Sequence, residues 1–165
     1  MAMEITFITT GGTIDKVYYD AKSRYEVGES VIEQMLKQGE THFEHRVITL
    51  MRKDSLELTD QDRQLIRASV EADPGRLFVI THGTDTMVET ARALADLTDK
   101  VIVLTGALNP ARFQVSDAIF NIGMAVAAVQ VLQPGVYVTM NGQVFNPADV
   151  RKNRKLNRFE HLDGS

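Results

Sequence analysis

Two short runs of this chain combine hydroxyl side chains with glycine at the ends of strand-like segments. The first is Thr9-Thr10-Gly11-Gly12-Thr13, which follows the apolar, β-branched stretch Glu4–Thr10. The second is Thr81-His82-Gly83-Thr84-Asp85-Thr86, which follows Arg76–Thr81. Gly11 and Gly12 allow a tight turn and a close approach of backbone to a ligand. Thr13, just past that turn, is placed to face whatever the turn holds. A free threonine hydroxyl is a weak nucleophile and needs a base or a tuned neighbour. Asp85 can orient a lysine or a water for that purpose. Backbone N–H groups at the start of a helix beginning at Asp85 can bind a carboxylate or stabilise an oxyanion. Each run by itself also reads as a structural turn or an anion-binding nest. On that reading Thr84 caps a helix and Asp85 complements its dipole.

The elements around these runs alternate strand and helix. Strands are expected over Glu4–Thr10, Glu44–Leu50, Arg76–Thr81, Lys100–Thr105 and Val136–Met140. Helices are expected over Ser30–Gln38, Thr59–Ala72, Asp85–Asp96 and Gln114–Val131, with Thr59 and Asp62 forming an N-terminal cap. Short continuous apolar strands between helices indicate a parallel sheet covered on both faces. The expected fold class is therefore α/β, a single-domain three-layer α/β/α sandwich with a mostly parallel flavodoxin/Rossmann-like sheet. In the strand order 2-1-3-4-5 the ligand crevice opens between the carboxyl ends of strands one and three. That order brings the two hydroxyl-glycine runs to opposite sides of one cleft. The stretch Asp15–Gly28, with Tyr18, Tyr19 and Tyr25, reads as a long loop of the kind that serves as a lid or binding loop. The polar segment after Asn146 has no assignable element.

Composition removes several other classes. With 165 residues, 44% hydrophobic and 24% charged, the chain is too apolar to be disordered. No run of about 18 apolar residues is present, so no membrane association is expected. The N-terminus reaches Glu4 without a basic, apolar leader, and the cytoplasm is the expected compartment. The net charge of −4 gives no overall footprint for nucleic acid. Cysteine is absent, which removes disulfides and thiolate chemistry. His42-x-x-His45 has a spacing that can hold a metal, but no second ligand pair accompanies it, so no metal is expected. His82 reads as a packing or turn residue beside the second run. The basic run Arg151–Arg158 reads as a solvated tail or a subunit contact. The Gln114–Val131 helix is apolar around much of its circumference. That pattern fits burial between the sheet and a second subunit, hence a homodimer or higher homo-oligomer.

Taken together, TGGT and the later HGTDTM block resemble the bacterial-type L-asparaginase family, amidohydrolases with a threonine nucleophile. The resemblance continues in order along the chain. Tyr25 in SRYEVG is similar to the family's active-site tyrosine. Asp54-Ser55-Leu56-Glu57-Leu58-Thr59 resembles its substrate-binding DSxxMT block. Thr105-Gly106-Ala107-Leu108-Asn109-Pro110 with Ser116-Asp117 resembles its GAxxP…SAD segment, and Lys152 falls where the family has its catalytic lysine.

The resemblance implies a role for each of these residues. Thr13 is the nucleophile, and Tyr25 helps to activate it. Thr84, Asp85 and Lys152 form a second hydrogen-bonded set. Ser55, Glu57, Gly83 and Asp85 hold the substrate, with Glu57 and Asp85 at its ammonium. The implied reaction is hydrolysis of the side-chain amide of L-asparagine, or a related amide, through a threonine acyl-enzyme, with no metal or organic cofactor. The resemblance divides the chain into an N-terminal-type α/β domain over 1–150 and a basic polar tail over 151–165. The family's smaller C-terminal domain does not follow. In the family that domain completes the neighbouring subunit's site, so the pocket here is expected to be open on one side. Leu56 stands where many members carry a polar residue that contacts substrate, and Asn109 replaces a common arginine. A non-catalytic asparagine- or aspartate-binding module, or an amidase subunit that depends on a partner chain, is the alternative function.

Overall fold

The central strands send alternate side chains to opposite faces. Ile5 and Phe7 enter one core, while Ile8 enters the other. Val79 separates from Phe78 and Ile80, and Val103 from Ile102 and Leu104, in the same way. With a period of two and both faces apolar, such strands are stable only between two helical layers. The structure, a computed structural model, describes residues 2–22 and 24–165.

The strands are β1 (Glu4–Gly11), β2 (Lys16–Tyr19), β3 (Arg24–Val27), β4 (Glu44–Lys53), β5 (Leu77–Thr81), β6 (Val101–Thr105), β7 (Gly135–Met140), β8 (Gln143–Phe145), β9 (Val150–Asn153) and β10 (Arg158–His161). The helices are α1 (Ile32–Gln38), α2 (Asp60–Ala72), α3 (Met87–Ala93) and α4 (Ala118–Val131). The main sheet runs β4-β1-β5-β6-β7-β8. Its first five strands are parallel, and β8 folds back antiparallel on β7. Counting the parallel strands in chain order gives 2-1-3-4-5, as expected. Helices α1 and α4 supply the core on one face, with Leu36, Ile122 and Ala125. Helices α2 and α3 supply the other, with Ile66, Met87 and Leu94. The result is a three-layer α/β/α sandwich whose switch point lies between β1 and β5.

Five elements differ from the sequence expectation. Helix α3 starts at Met87 rather than Asp85. Thr86, whose hydroxyl is committed to Ser55 O, sits at its N-cap position, so Thr84 does not cap it. β8 is an antiparallel edge strand that the sequence pattern does not predict. The stretch 15–28 is not a loop: β2 and β3 pair antiparallel, with Tyr18 opposite Tyr25. Its Val and Tyr residues are good strand formers, and their cross-strand contacts outweigh the missing turn signal. Helix α4 starts at Ala118 rather than Gln114. Asp117 is drawn away to accept the N–H groups of Leu108 and Asn109, and Ser116 Oγ accepts the N–H of Ala118. The segment after Asn146 is also structured. β9 and β10 form a hairpin, Phe159 is buried, and Arg151 and Arg158 pair with the buried Glu160. Part of the basic run is therefore paired within the fold, with the Arg151 and Arg158 side chains still half-exposed.

Candidate active site

The site grows from the turns that end β1, β4 and β5. Gly11 and Gly12 have φ of 103° and 89°, in the left-handed region where a side chain is strained. Gly12 N–H donates to Lys53 O at 2.9 Å, which docks the β1 turn on the end of β4. A Cβ on Gly12 would lie 2.5 Å from Gly83 Cα, and one on Gly83 would lie 2.5 Å from Ser55 Cβ. Three turns therefore abut with no room for side chains between them. Gly12→Ala is expected to cost on the order of 2–4 kcal/mol, combining the backbone strain with the backbone clash. A thermal melt should show a fall of roughly 5–15 °C. An unchanged midpoint would mean that the turns are not packed as described.

These contacts place Thr13 and Thr84, the residues after Gly12 and Gly83, beside the same junction. Thr13 begins a 3-10 turn, Thr13–Asp15, and is half-buried. It lines a small pocket of about 240 Å³ with Lys16, Tyr25, Pro110 and Phe113. Tyr25 reaches this pocket from β3, its ring 5.8 Å from Phe113 and 5.1 Å from Tyr18. Ser55 is buried in a second 3-10 turn, Ser55–Glu57, and its carbonyl accepts the Thr86 hydroxyl at 2.7 Å. That bond joins the β4 and β5 turns. Glu57 and Leu56 are exposed. Glu57 lines an adjoining polar cleft of about 440 Å³, whose wall also includes Lys16 and Tyr25.

Lys152, on β9, comes from far along the chain. Its Nζ donates to Thr84 Oγ1 at 2.7 Å and to Asp85 Oδ1 at 2.9 Å. Thr84 is buried, and the Lys152 and Asp85 side chains are 11% and 28% exposed, so this pair is shielded more than a surface ion pair. The β9–β10 hairpin delivers the lysine, and burial of Phe159 anchors that hairpin to the core. Of the residues expected in the site, Thr84, Asp85 and Lys152 meet directly. Thr13 and Tyr25 share one pocket, Gly83 and Ser55 abut, and Glu57 stands off in the next cleft. Sequence reasoning missed Thr86 and the Arg154 guanidinium, which lies 3.5 Å from Asp85. It also missed Asp117 as the clamp of the Leu108–Asn109 loop.

His82 lies beneath the site and is fully buried. Its Nδ1–H donates to Gly83 O at 2.7 Å, which leaves Nε2 to accept the Thr90 hydroxyl at 2.8 Å. It therefore fixes the Gly83 turn from below, the packing role expected. Burial disfavours the imidazolium and pushes its pKa down to about 4. Asp15, also buried, moves the other way. Burial raises its pKa to about 6, opposed by the Val31 N–H and by Arg112 and Arg52.

These two groups oppose each other in acid. The neutral His82 contributes stability above pH 6.5 that is lost as pH falls towards 4, about 3 kcal/mol in all. The cost of a charged, buried Asp15 is present above pH 6 and relieved as pH falls towards 3.8, by a similar amount of about 3 kcal/mol. Between pH 6 and 4 the two nearly cancel. Asp15→Asn is therefore expected to steepen the loss of stability from pH 6.5 to 4, read by urea melts across that range. A wild-type slope retained in the variant would refute the compensation.

Among the described residues no group of His, Asp and Glu is arranged to hold a metal ion. His42 bonds Glu40 O and His45 bonds Glu33. No helix among those residues is long and apolar enough to cross a membrane.

Comparison with known proteins gives the site a context. The family model "Asparaginase, N-terminal" matches residues 4–161. L-asparaginase 2 of Escherichia coli strain K12 is 35% identical over 163 residues, covering 90% of this chain and 46% of that protein. A probable periplasmic L-asparaginase of Haemophilus influenzae is 34% identical over 164 residues, with 90% and 46% covered. The crystal structure of L-asparaginase I from Vibrio cholerae superposes with a TM-score of 0.84 at 26% identity, covering 98% of this chain and 52% of that one. The chain thus spans about half the length of the relatives it matches. On the extent of the family match and the agreement in fold, this chain belongs to the asparaginase family.

Proposed function

We propose that this chain is an amidohydrolase that uses Thr13 to cleave the side-chain amide of L-asparagine, or a closely related amide. Thr13 Oγ attacks the amide carbon, and its proton passes by way of Tyr25 to the leaving nitrogen. The C–N bond breaks, ammonia departs, and an ester to Thr13 remains. Water activated at the Thr84–Asp85–Lys152 set then hydrolyses that ester to aspartate and free Thr13. Backbone N–H groups near Thr13 and Thr84 are the donors for the oxyanion, the Gly12 N–H being taken by Lys53 O. Ser55 holds the substrate carboxylate, and Glu57 and Asp85 face its ammonium.

The observation that carries this reading is the hydrogen bonding of Lys152 to both Thr84 and Asp85, next to the turn that bears Thr13. A module that only binds its ligand has no need of a lysine placed on a threonine hydroxyl. Ammonia release from L-asparagine and L-glutamine by the purified chain tests the proposal. Turnover of either amide supports it, and no ammonia from either counts against it. Because the chain spans half the length of its relatives, the assay also reports whether this half acts by itself. Exposed Ile119, Phe120 and Val131 on α4 support self-association of the protein. Sedimentation as a strict monomer would contradict that part.

A further inference from the structure

We infer that Lys16 is a positioning residue, forming with Asp54 a strut that sets the spacing between the Thr13 turn and the Ser55–Glu57 turn. The inference rests on the proposed role of Thr13. Lys16 closes the 3-10 turn that Thr13 opens, its backbone N–H donating to Thr13 O. Its side chain crosses to Asp54 Oδ2 at 2.8 Å. The other oxygen of the same carboxylate accepts the Leu56 N–H at 3.1 Å and so caps the Ser55–Glu57 turn. One carboxylate therefore joins the nucleophile's turn to the turn assigned to the substrate carboxylate. Both side chains are about three-quarters covered or a little less, at 26% and 31% exposure. Burial alone would raise the Asp54 pKa, but the Lys16 ammonium and the Leu56 N–H outweigh it and hold the group below the ordinary carboxylate range.

The location makes the strut consequential. Lys16 lines both the Thr13 pocket and the adjoining polar cleft. It is also the first residue of β2 and pairs with Val27, two residues beyond Tyr25 on β3. Arg112 fixes the base of this hairpin at one edge through Asp15 O and Glu29 O, and Tyr25 leans on Phe113 at another. The Lys16–Asp54 pair ties it on the side that faces the Ser55–Glu57 turn. Displacement of a reacting group by about 1 Å is enough to cost up to 10²-fold in rate.

The test compares Lys16→Met, Lys16→Arg, Asp54→Asn and the double variant Lys16→Met/Asp54→Asn in asparagine turnover. Asp54→Asn keeps an oxygen for the Leu56 N–H and replaces the charged oxygen that Lys16 grips with an NH2 group, which cannot accept from the ammonium. Each disabling single variant is expected to lower kcat by about tenfold with a smaller change in KM. The double variant should be no worse than either single one, and Lys16→Arg should recover most of the rate. Melting temperatures should move by no more than a few degrees, as for a partly exposed pair. Additive losses, or losses that follow the melting temperature, would overturn the strut. Hydrogen exchange separates this inference from the functional reading. Lys16→Met and Asp54→Asn should speed exchange equally across 16–27 even if wild type proves inactive. Unchanged exchange in both variants would overturn the strut whatever the activity.

Discussion

Thr13→Ala is expected to remove ammonia release from L-asparagine, by roughly 10³-fold or more in kcat, while the protein stays folded. The magnitude follows from what the residue supplies. In the proposed reaction no ester forms without the hydroxyl, and the remaining groups offer only binding and oxyanion stabilisation. The structure explains why folding should survive. Thr13 is half-buried at the mouth of its pocket, and its structural contact is through its carbonyl, which accepts the Lys16 N–H. Truncation leaves that bond intact, so stability should change by no more than about 1 kcal/mol. The residues proposed to hold the substrate, Ser55, Glu57 and Asp85, are also untouched. L-Aspartate should therefore raise the melting temperatures of the variant and the wild type alike. Residual activity within tenfold of wild type would move the nucleophile elsewhere, with Thr84 the next hydroxyl at the junction.

Lys152→Met is the second large effect, with an expected loss of roughly 10²–10³-fold in kcat. The methionine chain fills similar space but cannot donate to Thr84 Oγ1 or to Asp85. Arg154, at 3.5 Å from Asp85, still meets part of the carboxylate charge, so the site should not collapse. Lys152→Arg should not restore the rate, because a planar guanidinium does not place one donor between the two acceptors as an ammonium does. Steady-state assays with both variants measure this. Full activity in Lys152→Met would reduce the Thr84–Asp85–Lys152 set to a structural pairing.

Local pattern was enough to read the five parallel strands of the sheet, though not the antiparallel β8 at its edge. Runs such as Leu77–Thr81 and Val101–Thr105 are apolar on both faces and short, and only a covered parallel strand accommodates both properties. Thr59 and Asp62 mark the start of α2 by a reciprocal cap, and the structure contains that cap. The juxtaposition of the two glycine turns was also legible, because strand order places them at one crevice. What was not legible depends on contacts between distant segments. The β2–β3 hairpin has no short glycine turn, and its stability comes from Tyr18, Tyr25 and Phe113 meeting in space. The start of α4 depends on where the Asp117 carboxylate is used, which is settled by the Leu108–Asn109 loop. Family resemblance singled out Lys152, but spacing alone could not bring it to Thr84. The β9–β10 hairpin does so, secured in the core by Val150 and Phe159.

The proposed reaction turns on a covalent step at Thr13, which rapid-quench mass spectrometry tests most directly. Wild type and Lys152→Met are mixed with L-asparagine, quenched in acid and digested, and the Thr13 peptide is weighed. An aspartyl ester on Thr13, more abundant in Lys152→Met than in wild type and absent from Thr13→Ala, is the predicted result. Turnover with no adduct on Thr13 in either protein, or an adduct that persists in Thr13→Ala, would contradict it.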